Sequence, residues 1–390
     1  MTGLALLGLM RMQAQETRND SAAYEPRKLK VEEVNLVSSY YRQDGNNSAV
    51  TGGTGTEKLT DISNTIDVRL AKYGAGGIKH NWDVEVGVDH YSSASSDKID
   101  LNANSSASSS DIRFYPSVNY TRENEQKGRS FGIGASSSTE YDYQSFGANL
   151  NFSQKTEDRN GEFTARFQAY LDQVKLLAPV ELRGLPGTDD SGNASRNTFV
   201  GSLAYSQVVN RNFQVLFQAD LISQQGYLGL PFHRVYFSDG SVHQEKLPDS
   251  RFKLPLAARA SYFLGDNIII RGYYRFYADD WGIRSHTAEL EVPVKLTPFL
   301  SLSPFYRYYT QSASKYFDGF QSHGPDGGFY TSNYDLSKFS SGFMGIGIRF
   351  TPVNGLLGIK HLSMVELRYG HYDRSTNLNS DIISINIRYK

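Results

Sequence analysis

The feature that most constrains this chain is the period-two alternation of its last residues. Ile383, Ile385, Ile387 and Tyr389 occupy one parity and Ser384, Asn386 and Arg388 the other, as in a strand with one apolar face. The template recurs backwards, with Val365, Leu367, Tyr369 against Glu366, Arg368, Gly370 and with Met344, Ile346, Ile348, Phe350 against Gly345, Gly347, Arg349. It continues through 300–308, 288–294, 268–276, 258–262, 213–221, 200–208 and 163–171. More polar segments at 31–42, 59–71, 81–91, 112–122, 129–138 and 143–155 complete a set of sixteen. An amphipathic last strand ending in an aromatic residue is a barrel-closing strand, so the expected fold is all-β: a closed antiparallel transmembrane β-barrel of about sixteen strands.

The connections carry the stronger argument. Long stretches rich in Gly, Ser, Asn and Asp follow the odd-numbered strands, at about 43–58, 92–111, 172–196, 224–252 and 312–340. Compact turns follow even-numbered strands, among them Glu157-Asp158-Arg159-Asn160-Gly161, Asn210-Arg211, Gly265-Asp266 and Leu296-Thr297-Pro298. Short periplasmic turns and long external loops make that rhythm in outer-membrane barrels, whereas a soluble sandwich has no reason to gather its long loops at one end.

Composition agrees once the barrel is in mind. A mean hydropathy of −0.46 resembles that of a soluble protein, but a membrane strand turns only alternate residues to lipid. No run of roughly 20 apolar residues offers a spanning helix. The 26 Tyr and 22 Phe beside 2 Trp, with 35 Gly, fit aromatic girdles and a polar lumen. With 0 Cys, disulfides and thiolate metal sites are excluded. A net charge of −1 without a basic stripe argues against nucleic acid.

The start, Leu4-Ala5-Leu6-Leu7-Gly8-Leu9-Met10 followed by Met12-Gln13-Ala14-Gln15, resembles the apolar core and cleavage region of a secretory signal. It lacks a basic leader, so the true start is expected upstream and cleavage near Ala14. The expected layout is a signal-like segment at 1–14, a polar periplasmic leader at 15–30 and one barrel domain at 31–390.

The stretch Ser39-Tyr40-Tyr41-Arg42-Gln43-Asp44-Gly45-Asn46-Asn47-Ser48-Ala49-Val50-Thr51-Gly52-Gly53-Thr54-Gly55-Thr56-Glu57-Lys58-Leu59-Thr60 resembles a signature of the DUF3570 proteins of Bacteroidetes. Asp89-His90-Tyr91-Ser92-Ser93-Ala94-Ser95-Ser96-Asp97, Lys315-Tyr316-Phe317-Asp318-Gly319-Phe320 and Tyr330-Thr331-Ser332-Asn333-Tyr334-Asp335-Leu336-Ser337-Lys338-Phe339 extend the likeness over most of the chain. The resemblance implies an envelope location and brings no activity, substrate or catalytic residue.

If odd parity faces lipid in the last strand, the lumen receives Arg259, Arg271, Arg275, Arg307, Arg349, Arg368 and Arg388 with Glu289, Glu291 and Glu366. From the N-terminal half it receives Asp67, Arg69, Asp83, Glu85, Asp89, Arg166 and Asp220. A barrel this wide encloses water, and a charged lining orients solutes. The competing role for these charges is cross-strand pairing that stiffens the wall. Tyr273, Tyr277, Phe305 and Tyr309 are either a stacking track for a ring-bearing solute or plugging side chains. The long loops, above all 312–340, either fold inward as a constriction or outward as a docking surface.

Catalytic and metal motifs are thin. Asp89-His90, and Ser285-His286 with Asp279-Asp280, are the candidates for a rim hydrolase, yet adjacent strand residues point to opposite faces. The 8 His residues show no HExxH spacing. Asp189-Asp190-Ser191-Gly192-Asn193 and Asp326-Gly327-Gly328 lack calcium-loop spacing, and Gly74-Ala75-Gly76-Gly77-Ile78-Lys79 lacks that of a phosphate loop, so all three read as turns. No catalytic residue, metal or cofactor is expected. The expected function is a porin-like outer-membrane channel for small polar solutes, in contact with the lipid bilayer. The alternatives are a scaffold for an envelope partner, such as a lipoprotein or redox component, and, more weakly, the hydrolase.

Overall fold

The computed structural model describes residues 28–92, 110–325 and 327–390. The signal-like segment 1–14, the leader as far as residue 27, the loop at 93–109 and Asp326 lie outside the described residues.

The strands are β1 (Lys30–Gly45), β2 (Leu59–Tyr73), β3 (Ile78–Ser92), β4 (Ser110–Asn124), β5 (Arg129–Thr139), β6 (Tyr143–Lys155), β7 (Gly161–Lys175), β8 (Asn193–Asn210) and β9 (Phe213–Gly226). They continue as β10 (Ser250–Leu264), β11 (Ile268–Asp279), β12 (Arg284–Glu291, resuming at Val294–Lys295), β13 (Leu300–Gln311), β14 (Phe339–Phe350), β15 (Leu362–Arg374) and β16 (Leu378–Tyr389). Each pairs antiparallel with its sequence neighbours, and β1 pairs with β16 from Val34↔Tyr389 to Gly45↔Leu378. A closed ring of sixteen antiparallel strands results, and the sheet has no free edge. Proline explains the break in β12, because Pro293 has no N–H for the ladder and the hydrogen bonds pass through its carbonyl, which accepts from Ile269 at 3.0 Å.

Parity decides the two faces. The outer one carries Phe146, Phe167, Leu171, Leu203, Phe217, Leu221, Leu290, Met344 and Ile383, all exposed on the isolated chain. Each such side chain gains on the order of 1.5–3 kcal/mol when taken from water, so this face is stable only where hydrocarbon covers it. Ring clusters bound the apolar zone at both ends. Trp82 and Tyr120, with centroids 5.4 Å apart, and Phe213 with Tyr262, at 6.5 Å, stand near the turns. Tyr274 with His286, and Tyr369 with Asp381 at 2.7 Å, stand nearer the loops. Amphipathic rings prefer that depth, between hydrocarbon and water.

One end holds the turns 74–77, 125–128, 156–160, 211–212, 265–267 and 296–299, with an 11-residue exception at 351–361 that leaves Leu357 96% exposed. The other end holds connections we number as loop 1 (46–58) and loops 3 to 8 (140–142, 176–192, 227–249, 280–283, 312–338 and 375–377), the number 2 being kept for 93–109, which lies outside the described residues. Among the described residues the long loops do share that end, and three tight connections sit among them.

Candidate functional site

The lining follows from the parity of the outer face. Asp83, Glu85 and Asp89 stand on the inner face of β3, Arg259 on β10, and Arg271, Tyr273, Arg275 and Tyr277 on β11. Glu289 and Glu291 stand on that of β12, Arg307 and Tyr309 on β13, Arg349 on β14, Glu366 and Arg368 on β15 and Arg388 on β16. In a ring of sixteen, β3 and β11 are diametrically opposed. Asp83, Glu85 and Asp89 therefore stand across the lumen from Arg271 and Arg275.

The charges are paired along the wall. Arg307 meets Glu289 at 2.6 Å, Arg349 meets Glu366 at 2.7 Å, Arg368 meets Glu366 at 3.2 Å and Glu291 at 3.1 Å, and Arg271 meets Glu291 at 3.1 Å. On the acidic side Arg69 meets Asp83 at 2.8 Å, and Asp89 accepts from Ser63 at 2.5 Å and Tyr115 at 2.9 Å. Exposure separates the partners. Glu366 and Glu291 are 8% and 15% exposed while Arg349 and Arg271 are 52% and 45% exposed. The carboxylates are sunk at the sheet and the guanidinium groups stand in the lumen, so a paired wall still presents positive charge to a solute. Near the turns this wall, with Lys295 and Arg211, borders a cavity of about 740 Å³.

Loops close over the other end. In loop 5, Arg234–Tyr236 pairs with Val242–Gln244 as a small hairpin. Arg234 donates to the Val50 carbonyl of loop 1 at 2.7 Å and to both oxygens of Glu181 in loop 4 at 2.6 and 2.9 Å. Loop 1 leaves β1 and β2, loop 5 leaves β9 and β10, and these pairs are eight positions apart in a ring of sixteen. Loops from opposite sides can touch only by crossing the mouth. Loop 7 joins them: Lys246 and Tyr330 exchange backbone hydrogen bonds at 3.1 and 2.7 Å, and Thr331 donates to Glu245 at 2.5 Å. Inner-face residues pull loop 7 into the lumen, where Gln311 donates to the carbonyls of Asp335 and Ser337 at 3.0 and 2.6 Å and Arg374 meets Asp335 at 2.7 Å.

The crossing loops have a core of their own. Val235 and Thr331 are 0% and Ser332 1% exposed, with Phe237 and Val50 buried nearby. Two titratable groups show how differently this layer treats carboxyls. Burial raises the pKa of Glu57. Burial would raise that of Glu245 as well, but the His233 ring 3.8 Å away and hydrogen bonds from Thr331 and the Leu230 N–H hold it below the ordinary value.

Beneath loop 7 lies a cavity of about 610 Å³ bordered by Tyr41, Arg275, Thr287, Arg307, Tyr309, Phe339, Phe343, Tyr372 and Arg374. Register builds it, since Arg275, Thr287, Tyr309, Ser341 and Arg374 form one cross-strand row over β11 to β15. Two glycines make room for the rings: a Cβ on Gly370 would stand 2.6 Å from the Phe343 ring, and one on Gly345 2.7 Å from that of Phe305. Of these residues sequence reasoning named Arg275, Arg307, Tyr309 and Phe305, and missed Tyr41, Thr287, Phe339, Phe343, Tyr372 and Arg374. Their parity was the available signal.

The hydrolase candidates are not brought together. Asp89 points inward to Ser63 and Tyr115 while His90 lies on the opposite parity. Ser285 is buried on the inner face, and His286 bonds Tyr274 outside at 2.7 Å. Asp190 caps the Gly184 N–H at 2.7 Å, and Gly76 and Gly77 have φ of 68° and 70°, consistent with turns. At the rim Asp111, Glu140 and Asp142 bring carboxylate oxygens within 4.8 Å of one another. Burial and the two neighbouring carboxylates push Asp142 up to about 6.

Among solved structures the chain resembles OpdK of Pseudomonas aeruginosa with vanillate, at 9% identity over 93% of this chain and 98% of that one, TM-score 0.42. It resembles OccD3 (OpdP) of the same organism at 9% identity over 94% and 95%, TM-score 0.44, and a BenF-like porin of Pseudomonas fluorescens Pf-5 at 9% over 92% and 98%, TM-score 0.42. No curated protein matches the sequence. A family model described as "Protein of unknown function (DUF3570)" matches residues 2–373.

Proposed function

For this chain, which belongs to the DUF3570 family, we propose the function of an outer-membrane channel that admits small polar solutes through a constriction made by its own loops. The observation that carries the reading is the lining: solvent-exposed arginines above sunk carboxylates. Cavities of about 740 and 610 Å³ lie toward the turn end and beneath the crossing loops. Charges kept wet inside a lipid-facing barrel suit water and ions in transit. The outer belt and its ring girdles support the location, with turns in the periplasm and loops outside. The protein is read as a non-enzyme, because Asp89 with His90 and Ser285 with His286 are divided between faces.

The test is planar-bilayer conductance in potassium chloride with heat-modifiable gel migration as the folding control. Discrete steps are expected from protein that migrates as a folded barrel. A folded barrel that never conducts would overturn the channel.

A further inference from the structure

We infer that the cavity beneath the crossing loops binds a solute that joins one anionic group to a flat apolar body, as an aromatic monocarboxylate does. The inference deepens the channel reading by naming a solute class, and rests on it for the route by which the solute arrives.

Three arginines border this cavity, and two are already neutralised. Arg307 has Glu289 at 2.6 Å and Arg374 has Asp335 at 2.7 Å. Arg275 has neither an ion pair nor a hydrogen bond among the described residues, and its Nε is shielded from solvent without an acceptor. Directly across the strand pair from it is Thr287, only 4% exposed, whose hydroxyl also has no partner. Leaving a buried donor unsatisfied is costly, and more so for a charged one. A fold does not ordinarily leave two side by side on neighbouring strands, roughly 4.8 Å apart. An anionic group seated between the guanidinium and the hydroxyl supplies both with an acceptor and cancels the one uncompensated charge. Carboxylate has the geometry for it, two oxygens offered to a planar fork of donors.

The remaining walls decide the body of the solute. Tyr309 and Phe339 stand with ring centroids 5.5 Å apart. Phe343, packed on Phe305 at 5.1 Å, continues the aromatic surface, and Tyr41 and Tyr372 line the same space. Flat rings favour flat apolar partners by stacking or edge contact. The volume, about 610 Å³, lies in the range of small-molecule sites. An inorganic anion would satisfy Arg275 and gain nothing from the rings. A neutral ring would do the reverse.

Calorimetry on the full-length barrel in detergent separates these cases with benzoate, acetate and benzamide as probes. Benzoate is expected to bind at least tenfold tighter than either of the others. Arg275→Gln is expected to weaken benzoate at least tenfold, and Thr287→Val severalfold, with heat-modifiable migration retained. Should Arg275→Gln not fold, Thr287→Val and Arg275→Lys carry the test, and unchanged affinity in Thr287→Val then refutes the site. Equal benzoate affinity in a folded Arg275→Gln barrel, or benzamide binding as tightly as benzoate, overturns the inference. The two readings fail separately. Conductance without benzoate binding refutes the site alone, and benzoate binding to a barrel that never conducts refutes the channel while leaving the site.

Discussion

Replacing Arg234 with Ala should detach the loops from one another without harming the barrel. The guanidinium is 5% exposed and makes three charge-assisted hydrogen bonds, two to Glu181 and one to the Val50 carbonyl. Breaking a buried ion pair by removing one partner costs about 3–5 kcal/mol. Here Glu181 is 38% exposed, so water rehydrates its carboxylate and the cost falls. The Val50 carbonyl, left beside a hole, adds about 1–3 kcal/mol. A net of about 2–4 kcal/mol follows, which at 1.4 kcal/mol per factor of ten is roughly a 30- to 1000-fold rise in the open population of the loops. Amide exchange at Val235 and Phe237 reads that population, since locally opened units exchange without global unfolding. Exchange there should accelerate by that factor while the β1–β16 ladder keeps its protection. Arg234→Lys should be intermediate, because one ammonium cannot span three acceptors set around a planar fork. Unchanged exchange at Val235, or equal acceleration throughout the strands, would refute the idea of a separately held loop layer.

Three further outcomes test other links. Glu245, held below its ordinary value of 4.5, lends the loop layer stability that is present above that value and lost as pH falls through the depressed one. Protease cleavage within 227–249 should therefore rise only in strongly acid solution, and Glu245→Gln should flatten that profile. Gly370→Ala would put a Cβ 2.6 Å from the Phe343 ring, so an overpacking cost of about 1–3 kcal/mol is expected as a lower unfolding midpoint in urea; an unchanged midpoint contradicts the packing. Leu221→Lys, on the outer face, should cost about 2–4 kcal/mol in lipid and little in a soluble fold, so refolding yield in vesicles tests the lipid-facing assignment.

The barrel was legible because period two leaves little freedom: one misassigned parity in β16 would have put Ile383, Ile385 and Ile387 in the lumen beside Arg368. The strand segments and the inward arginines follow from that rule and from the turn chemistry at Asn210-Arg211 and Gly265-Asp266. Sequence distance hid the rest. Arg234 and Val50 are 184 residues apart and meet only because the ring brings opposite strand pairs to one mouth. Glu245 and Thr331, 86 apart, sit in loops with no periodicity to betray their burial. Thr287 and Arg374 have the right parity, but nothing local tells that one lacks a partner and the other reaches loop 7.

Asn35 and Arg388, bonded across the closing seam, are separated by 353 residues. Every other adjacent strand pair can zip from a nearby connection, while this one waits for the final residues of the chain. Until then the growing sheet has two raw edges, each a template for pairing with a stranger. Seam formation alone removes both edges at once. A chain shortened by its last strand would lose far more than one-sixteenth of its ladder: it would remain a ribbon, sticky on both sides.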